Sequence, residues 1–430
     1  MAIIRPIGKN TSLASFQKET TEGVFVNPTK EYPFKSCDLK KTMKTEEDTS
    51  NIGEVFTTDL ITTGYDITGN VEMNVYPNNI AEILFFTLGK EAISNAISGF
   101  LFLKYIGNGE VCRVKTDTGA LITEVHNGTS WVEDLNLTLS NYSNLSDLVS
   151  AINIAGGYIA NYWGTGDPTE ISITQTNIKN ENDSITFFTY LTSNTTKAKN
   201  HNIYASNLAS DGIPSFSILL DKNLGSSKCF GYSGCKINTL SLSLAVKTFV
   251  TASLSLRAKE ELTNQSWNAT DFILKQPFVT NNVKLYVNGY VFSDIKDLKI
   301  DINNNMYIDE AVGLNTFNSQ DRQGATINIS GTANLTFEEN NKQTTYILNQ
   351  KYERNEPIDL IIIGETTLNY DTNIKAMFFI YLPKIKLSDG TISIGGAERL
   401  SLSFAGQVVK NSLYSKHIDI FINNDILTNY

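Results

Sequence analysis

The chain has 430 residues, 35 of them Lys or Arg and 45 Asp or Glu, for a formal net charge of −10. At roughly 150 residues per domain there is room for two or three domains, and the acidic balance argues against nucleic-acid binding as the main function, because phosphate neutralisation needs clustered Lys and Arg. Only 19% of residues are charged while 10% are aromatic, and with many Thr, Ser, Asn, Ile and Leu this suits half-buried sheet faces better than helix bundles or disorder.

The opening MAIIRPIGKN lacks the apolar run and cleavage site of a signal peptide. No stretch approaches the ~20 apolar residues that span a bilayer. Synthesis in a reducing cytoplasm, without membrane insertion, is the expectation. Residues 36–63 are long, charged and weakly periodic, with acidic Glu46, Glu47 and Asp48 near basic Lys40, Lys41 and Lys44. That segment reads as a loop, and loops of this length are solvated surface unless they serve a contact. Residues 65–75 alternate Ile67, Val71, Met73 and Val75 with polar partners, the period-2 pattern of a half-buried strand. Residues 78–90 read as a helix with an Asn cap and Gly89 as its stop. Tyr65, Met73, Phe85 and Phe86 read as core.

Residues 93–210 differ in character. They hold Asn- and Thr-dense turns, strands at 100–106, 111–115, 135–139, 171–174 and 185–190, and a Ser-capped helix at 143–157. An inserted domain is the economical reading, with residues 1–92 and 211–430 as the two parts of an outer domain. Beyond it, residues 236–256 form two alternating runs of hairpin length, and residues 283–302 pair around Asn288-Gly289, a strong two-residue turn. Strands at 327–337, 360–363, 377–387 and 400–404, with a weaker helix at 344–352, complete a mainly β chain.

The minimum parts of an active site are missing from the sequence. His126, His201 and His417 are isolated; there is no HExxH, Cys-x-x-Cys, Gly-x-Ser-x-Gly, Walker loop or GxGxxG. Asp301, Asn303 and Asn305 begin like a calcium loop, but Met306 stands where the turn needs Gly and Val312 where a bidentate Glu closes the site. Cys229 and Cys235 have no neighbouring histidine and read as structural thiols. No enzyme, cofactor or metal is expected.

The two outer parts contain an internal repeat. DITGNVEMNV at 66–75 matches NISGTANLTF at 328–337 with a constant offset of 262, each with a Gly (Gly69, Gly331) at the same place and a helix candidate after it. Ile67, Val71 and Met73 in the first copy and Ile329 and Leu335 in the second are the candidate sheet residues.

Three stretches, GYDITGNVEMNVYPNNIAEILFFTLGK at 64–90, IPSFSILLDKNLGSSKCFGYSGCKINTLSLSLAVKTFVTASLSLRAKE at 213–260, and the Asn-Gly hairpin through the second repeat copy at 283–337, resemble bacteriophage tail tube proteins. The resemblance, covering about 300 residues in pieces, implies a β-barrel-like sandwich. It also implies a homohexamer, with six copies closing into a ring and rings stacking into a hollow tube that conducts the genome during ejection. The implied location is the virion tail, assembled in the host cytoplasm. The implied partners are other copies, the tape measure, tail terminator and baseplate or tail-tip proteins, and DNA in transit. In the family the loop at 36–63 reaches the next ring, which would make Lys40, Lys41, Lys44, Glu46, Glu47 and Asp48 inter-ring contacts. An acidic chain suits a conduit, since basic walls would retain phosphates. The competing readings are a decoration or adhesin subunit whose 93–210 domain binds host glycans, and a carbohydrate-binding module or hydrolase. The latter would need convergent aromatic or carboxylate residues, whereas Trp131, Trp163 and Trp267 are scattered.

Overall fold

A computed structural model describes residues 11–47, 59–205, 212–222, 229–269, 271–272, 276–306, 324–334, 344–393 and 400–430. The first part carries β1 (Ser12–Lys18), β2 (Lys30–Tyr32), β3 (Ser36–Cys37), β4 (Lys40–Glu47), β5 (Leu60–Asn74), α1 (Pro77–Leu88) and the long β6 (Gly89–Tyr105). The middle carries β7 (Val111–Asp117), β8 (Ala120–His126), β9 (Trp131–Thr138), α2 (Leu145–Ala155), β10 (Tyr158–Gly164), β11 (Thr176–Lys179), β12 (Phe187–Ser193) and β13 (Lys199–Ala205). There follow β14 (Phe216–Asp221), β15 (Cys229–Ala245), β16 (Thr251–Ala258), β17 (Glu260–Gln265), β18 (Asp271–Phe272), β19 (Val283–Val287), β20 (Tyr290–Val291), β21 (Ile295–Asn303) and β22 (Thr326–Asn334). The last stretch holds α3 (Thr344–Glu353), β23 (Ile358–Asp371), β24 (Ile374–Ser393), β25 (Ser401–Val408) and β26 (Asp419–Asn424).

One antiparallel sheet dominates, in the spatial order β4–β5–β16–β15–β21–β22–β25–β24. Its alternation is regular: Leu240, Leu242, Leu254 and Leu256 are buried, while the serines between them lie on the wetter face. The leucine face joins α1, all of whose residues are buried, in one large core with Ile67, Val71, Ile300 and Ile329. A second antiparallel sheet runs β19–β23–β24–β26–β13–β6, and a third runs β2–β1–β14–β15–β17. The long strands β15 and β24 each belong to two sheets, so they form the corners of the sandwich.

The middle segment has its own core around Leu101, Val114, Leu121, Leu148 and Ile152, and a four-stranded sheet β11–β7–β8–β9. It shares a strand with the rest: the start of β6 pairs with β13, and its end pairs with β10 and β12. Phe100, Phe102 and Trp163 pack on Ile361, Phe379 and Phe421 of the second sheet.

Several local expectations are corrected. Residues 40–47 and 60–63 are not loop but the paired strands of a hairpin; both of its faces are wet, so no apolar alternation marks it. The cap of α1 is Tyr76, because Pro77 fits the first helical turn and the Asn79 side chain accepts the Tyr76 N–H at 2.7 Å. The cap of α2 is Asn144, whose side chain accepts the Asp147 N–H, and not Ser143. Residues 171–174 are not in a strand; pairing with β7 begins at Thr176. Asn288-Gly289 makes the expected turn with both φ positive, but it closes only onto Tyr290–Val291, and β21 pairs elsewhere.

Candidate assembly surfaces

The two repeat copies share one local device, a glycine packed against the facing strand beside a backbone N–H held by a carboxylate. In the first, Asp38-Leu39 link β3 to β4 in unbroken register, opposite Gly69-Asn70 of β5. A Cβ on Gly69 would lie 2.3 Å from the Leu39 Cα, so only Gly allows the close approach. The Asn70 N–H donates to the Asp38 carboxylate. In the second, β21 bulges beside Asp297 opposite β22. A Cβ on Gly331 would lie 2.4 Å from the Asp297 carbonyl oxygen, and the Thr332 N–H donates to the Asp297 carboxylate at 3.1 Å. Both strands that face these glycines read Asp-Leu-Lys, Asp38-Leu39-Lys40 and Asp297-Leu298-Lys299. Sequence reasoning found the glycines but missed this tripeptide, whose offset of 259 differs from that of the glycines and was its only signal.

The candidate sheet residues Ile67, Val71, Met73 and Ile329 are buried inside the protomer's own core. Leu335 and Asp48 lie outside the described residues. The hairpin β4–β5 is different: it is an arm, with Lys40, Lys44, Glu46 and Glu47 exposed. Lys44 reaches Asp66 at 3.0 Å, and the Lys41 ammonium stands 3.9 Å over the Tyr65 ring, so two of the three arm lysines also brace the hairpin. Towards its tip the arm exposes Leu60 (62%) and Ile61 (54%) beside Glu46 and Glu47.

The opposite pole of the same strand is also apolar. Asn74 at the far end of β5 pairs with Thr251, just past the turn between β15 and β16. Fifteen residues of strand separate the two ends, about 45 Å. Around that turn Val246, Phe249 and Val291 are exposed. A groove of about 310 Å³ there is lined by Leu244, Val246 and Val291 and flanked by Lys284 and Lys296.

Several groups that sequence reasoning weighed for chemistry are engaged within the fold. His201 is buried between the Glu91 carboxylate and the Ile426 carbonyl. The four cysteines are free thiols, and burial pushes Cys112 up to about 12. Trp163 is buried and donates to Glu365 at 2.9 Å, Trp131 lies under the Arg113 guanidinium at 3.9 Å, and Trp267 packs against a separate cluster. The three indoles therefore form no common platform. Among the described residues no helix is long and apolar enough to cross a membrane.

The family model described as phage tail tube protein matches residues 9–408. Among curated proteins none matches the chain. The match spans nearly the whole sequence: the chain belongs to the phage tail tube protein family and is a structural protein of the phage tail.

Proposed function

We propose that copies of this chain close into rings with six tube units around the axis, and that the rings stack head to tail into the hollow tube through which the genome is ejected. The observation that carries this reading is the polarity of β5. It bears an apolar, acidic arm tip (Leu60, Ile61, Glu46, Glu47) at one end and reaches an apolar, lysine-flanked groove at the other. Two such poles are complementary only between different copies, and a head-to-tail contact repeats without limit along an axis. The arm is the inter-ring element and the groove its receptor.

Assembly takes place in the host cytoplasm and the product lies in the virion tail. A tube of this kind ends at a terminator on one side and at baseplate or tail-tip proteins on the other, and it encloses a tape measure protein. The net charge of −10 keeps passing DNA from adhering. The segment at 93–210 is a domain displayed on the outside of the tube. Negative-stain microscopy of the purified protein tests the reading: rings or tubes support it, and a monodisperse monomer at high concentration overturns it.

A further inference from the structure

The large sheet contains the same four-stranded unit twice. Strands β4, β5, β16 and β15 recur, in the same spatial order and each antiparallel to the next, as β21, β22, β25 and β24. The alignment is fixed on every strand. Asp38-Leu39-Lys40 corresponds to Asp297-Leu298-Lys299. Gly69 stands opposite Leu256 as Gly331 stands opposite Phe404. Thr239 stands opposite Ser255 as Thr391 stands opposite Ser403.

Inside the chain the two units are joined by one strand pairing, the last strand of the first (β15) against the first strand of the second (β21). There Thr239 faces Asn303, Leu240 faces Ile302 and Ser241 faces Asp301, and the facing pair Leu240 and Ile302 is buried. The equivalent edges at the two ends of the sheet have no such partner among the described residues: β4 pairs only with β5, and residues 387–393 of β24 pair only with β25. The positions equivalent to Leu240 and Ile302 are Ile392 and Met43. Both are apolar, and both are exposed, at 37% and 55%.

We propose that the β24 edge of one copy pairs with the β4 edge of the next in the register that already joins β15 to β21. Thr391 then faces Lys44, Ile392 faces Met43 and Ser393 faces Thr42. The internal joint is a copy of the intermolecular one. The contact protects two edges that would otherwise template uncontrolled pairing. Because it is heterologous, it closes into a ring or runs on as a filament. The closure rests on the ring reading above; the edge pairing does not. Since each chain brings two units, a ring of six units contains three chains, which replaces the expectation of a homohexamer.

Directly opposed residues of antiparallel strands have Cα atoms about 4.5–5.5 Å apart, within the span of about 4.4–6.8 Å that a disulfide bridges. The test is the double variant Met43→Cys/Ile392→Cys, oxidised under mild conditions beside each single variant and read by non-reducing electrophoresis and mass. The expected result is a ladder ending in a covalently closed three-chain species, with both single variants remaining single chains. Rings or tubes in the microscope without cross-linking overturn the edge pairing and leave the ring reading standing. A ladder closing at six chains overturns the two-unit count. If the parent protein forms neither rings nor tubes, the ring reading falls separately. Ile392→Asp gives a second arm: it should yield a protein with unchanged circular dichroism and melting temperature that no longer forms rings, and normal rings from it overturn the proposal.

Discussion

The Lys104 ammonium lies 2.5 Å from the Asp359 carboxylate, and both side chains are buried. Lys104 belongs to β6 and Asp359 to β23, so the pair ties the middle segment to the second half of the chain. Asp359 also accepts the Thr186 N–H at 3.0 Å and the Thr186 hydroxyl at 2.7 Å. Removing one partner of a buried pair leaves an uncompensated charge, at a cost of about 3–5 kcal/mol. Asp359→Ala should therefore lower the melting temperature sharply, while the double change Lys104→Met/Asp359→Leu should recover most of the loss. A double variant no more stable than Asp359→Ala would show that the pair holds the segments by geometry beyond its charge balance.

Glu82 supplies a pH signature. It is buried in α1, donated to by the Tyr32 hydroxyl at 2.5 Å. Burial raises its carboxyl from the ordinary 4.5 to about 7, against the lowering effects of Lys30 and the Tyr32 hydrogen bond. The folded state thus holds this proton more tightly than the unfolded chain. Its stabilising contribution is complete below pH 4.5 and is lost as pH rises through 7. Thermal melts of Glu82→Gln and the parent should diverge across that window, the variant gaining relative stability as pH rises. A constant difference from pH 4 to 8 would contradict the assignment.

Gly69 and Gly331 give a matched pair. An alanine Cβ at Gly69 meets only backbone atoms of Asp38 and Leu39, whereas at Gly331 two of its three close neighbours are atoms of the Phe404 ring. Backbone cannot yield as a side chain can. Both alanine variants should be destabilised, Gly69→Ala more than Gly331→Ala, by roughly the 1–3 kcal/mol typical of overpacking. Urea titrations of the two single variants measure the order, and equal midpoints would mean that the two facing strands relax alike.

What the sequence disclosed follows from burial. The alternation of Ile67, Val71 and Met73 and of Leu240, Leu242, Leu254 and Leu256 is legible because each strand has one dry face. The arm at 40–47 was misread because a strand wet on both faces leaves no period-2 trace. The pairing of β15 with β21 joins residues about 60 positions apart; alternation says which face is dry but nothing about which strand lies alongside. The Asp-Leu-Lys repeat hid for another reason. Its work is done by a carboxylate on a backbone N–H, and the connection to the glycine-bearing strand is longer in the second copy; neither leaves an apolar pattern.

The arm and the groove can be tested by exchanging their charges. Lys41 and Lys44 brace the hairpin through Tyr65 and Asp66, so reversing them would confuse a lost contact with a damaged arm. Glu46 and Glu47 near the tip, and Lys284 and Lys296 beside the groove, are all exposed and can be reversed with little cost to the fold. Glu46→Lys/Glu47→Lys should leave single rings intact but suppress stacking at low salt, since it sets like charges against the groove of the next ring. Lys284→Glu/Lys296→Glu should do the same from the other side. Salt should partly rescue each, because surface charges are screened beyond about 8–10 Å at physiological ionic strength. The decisive protein is the quadruple variant, in which the two charge sets are exchanged and opposite charges face each other again. It should regain tube length, measured in negative stain at low salt. If it stacks no better than either double variant, the arm docks on a different surface of the neighbouring ring, and the complementarity of the two poles of β5 plays no part in assembly.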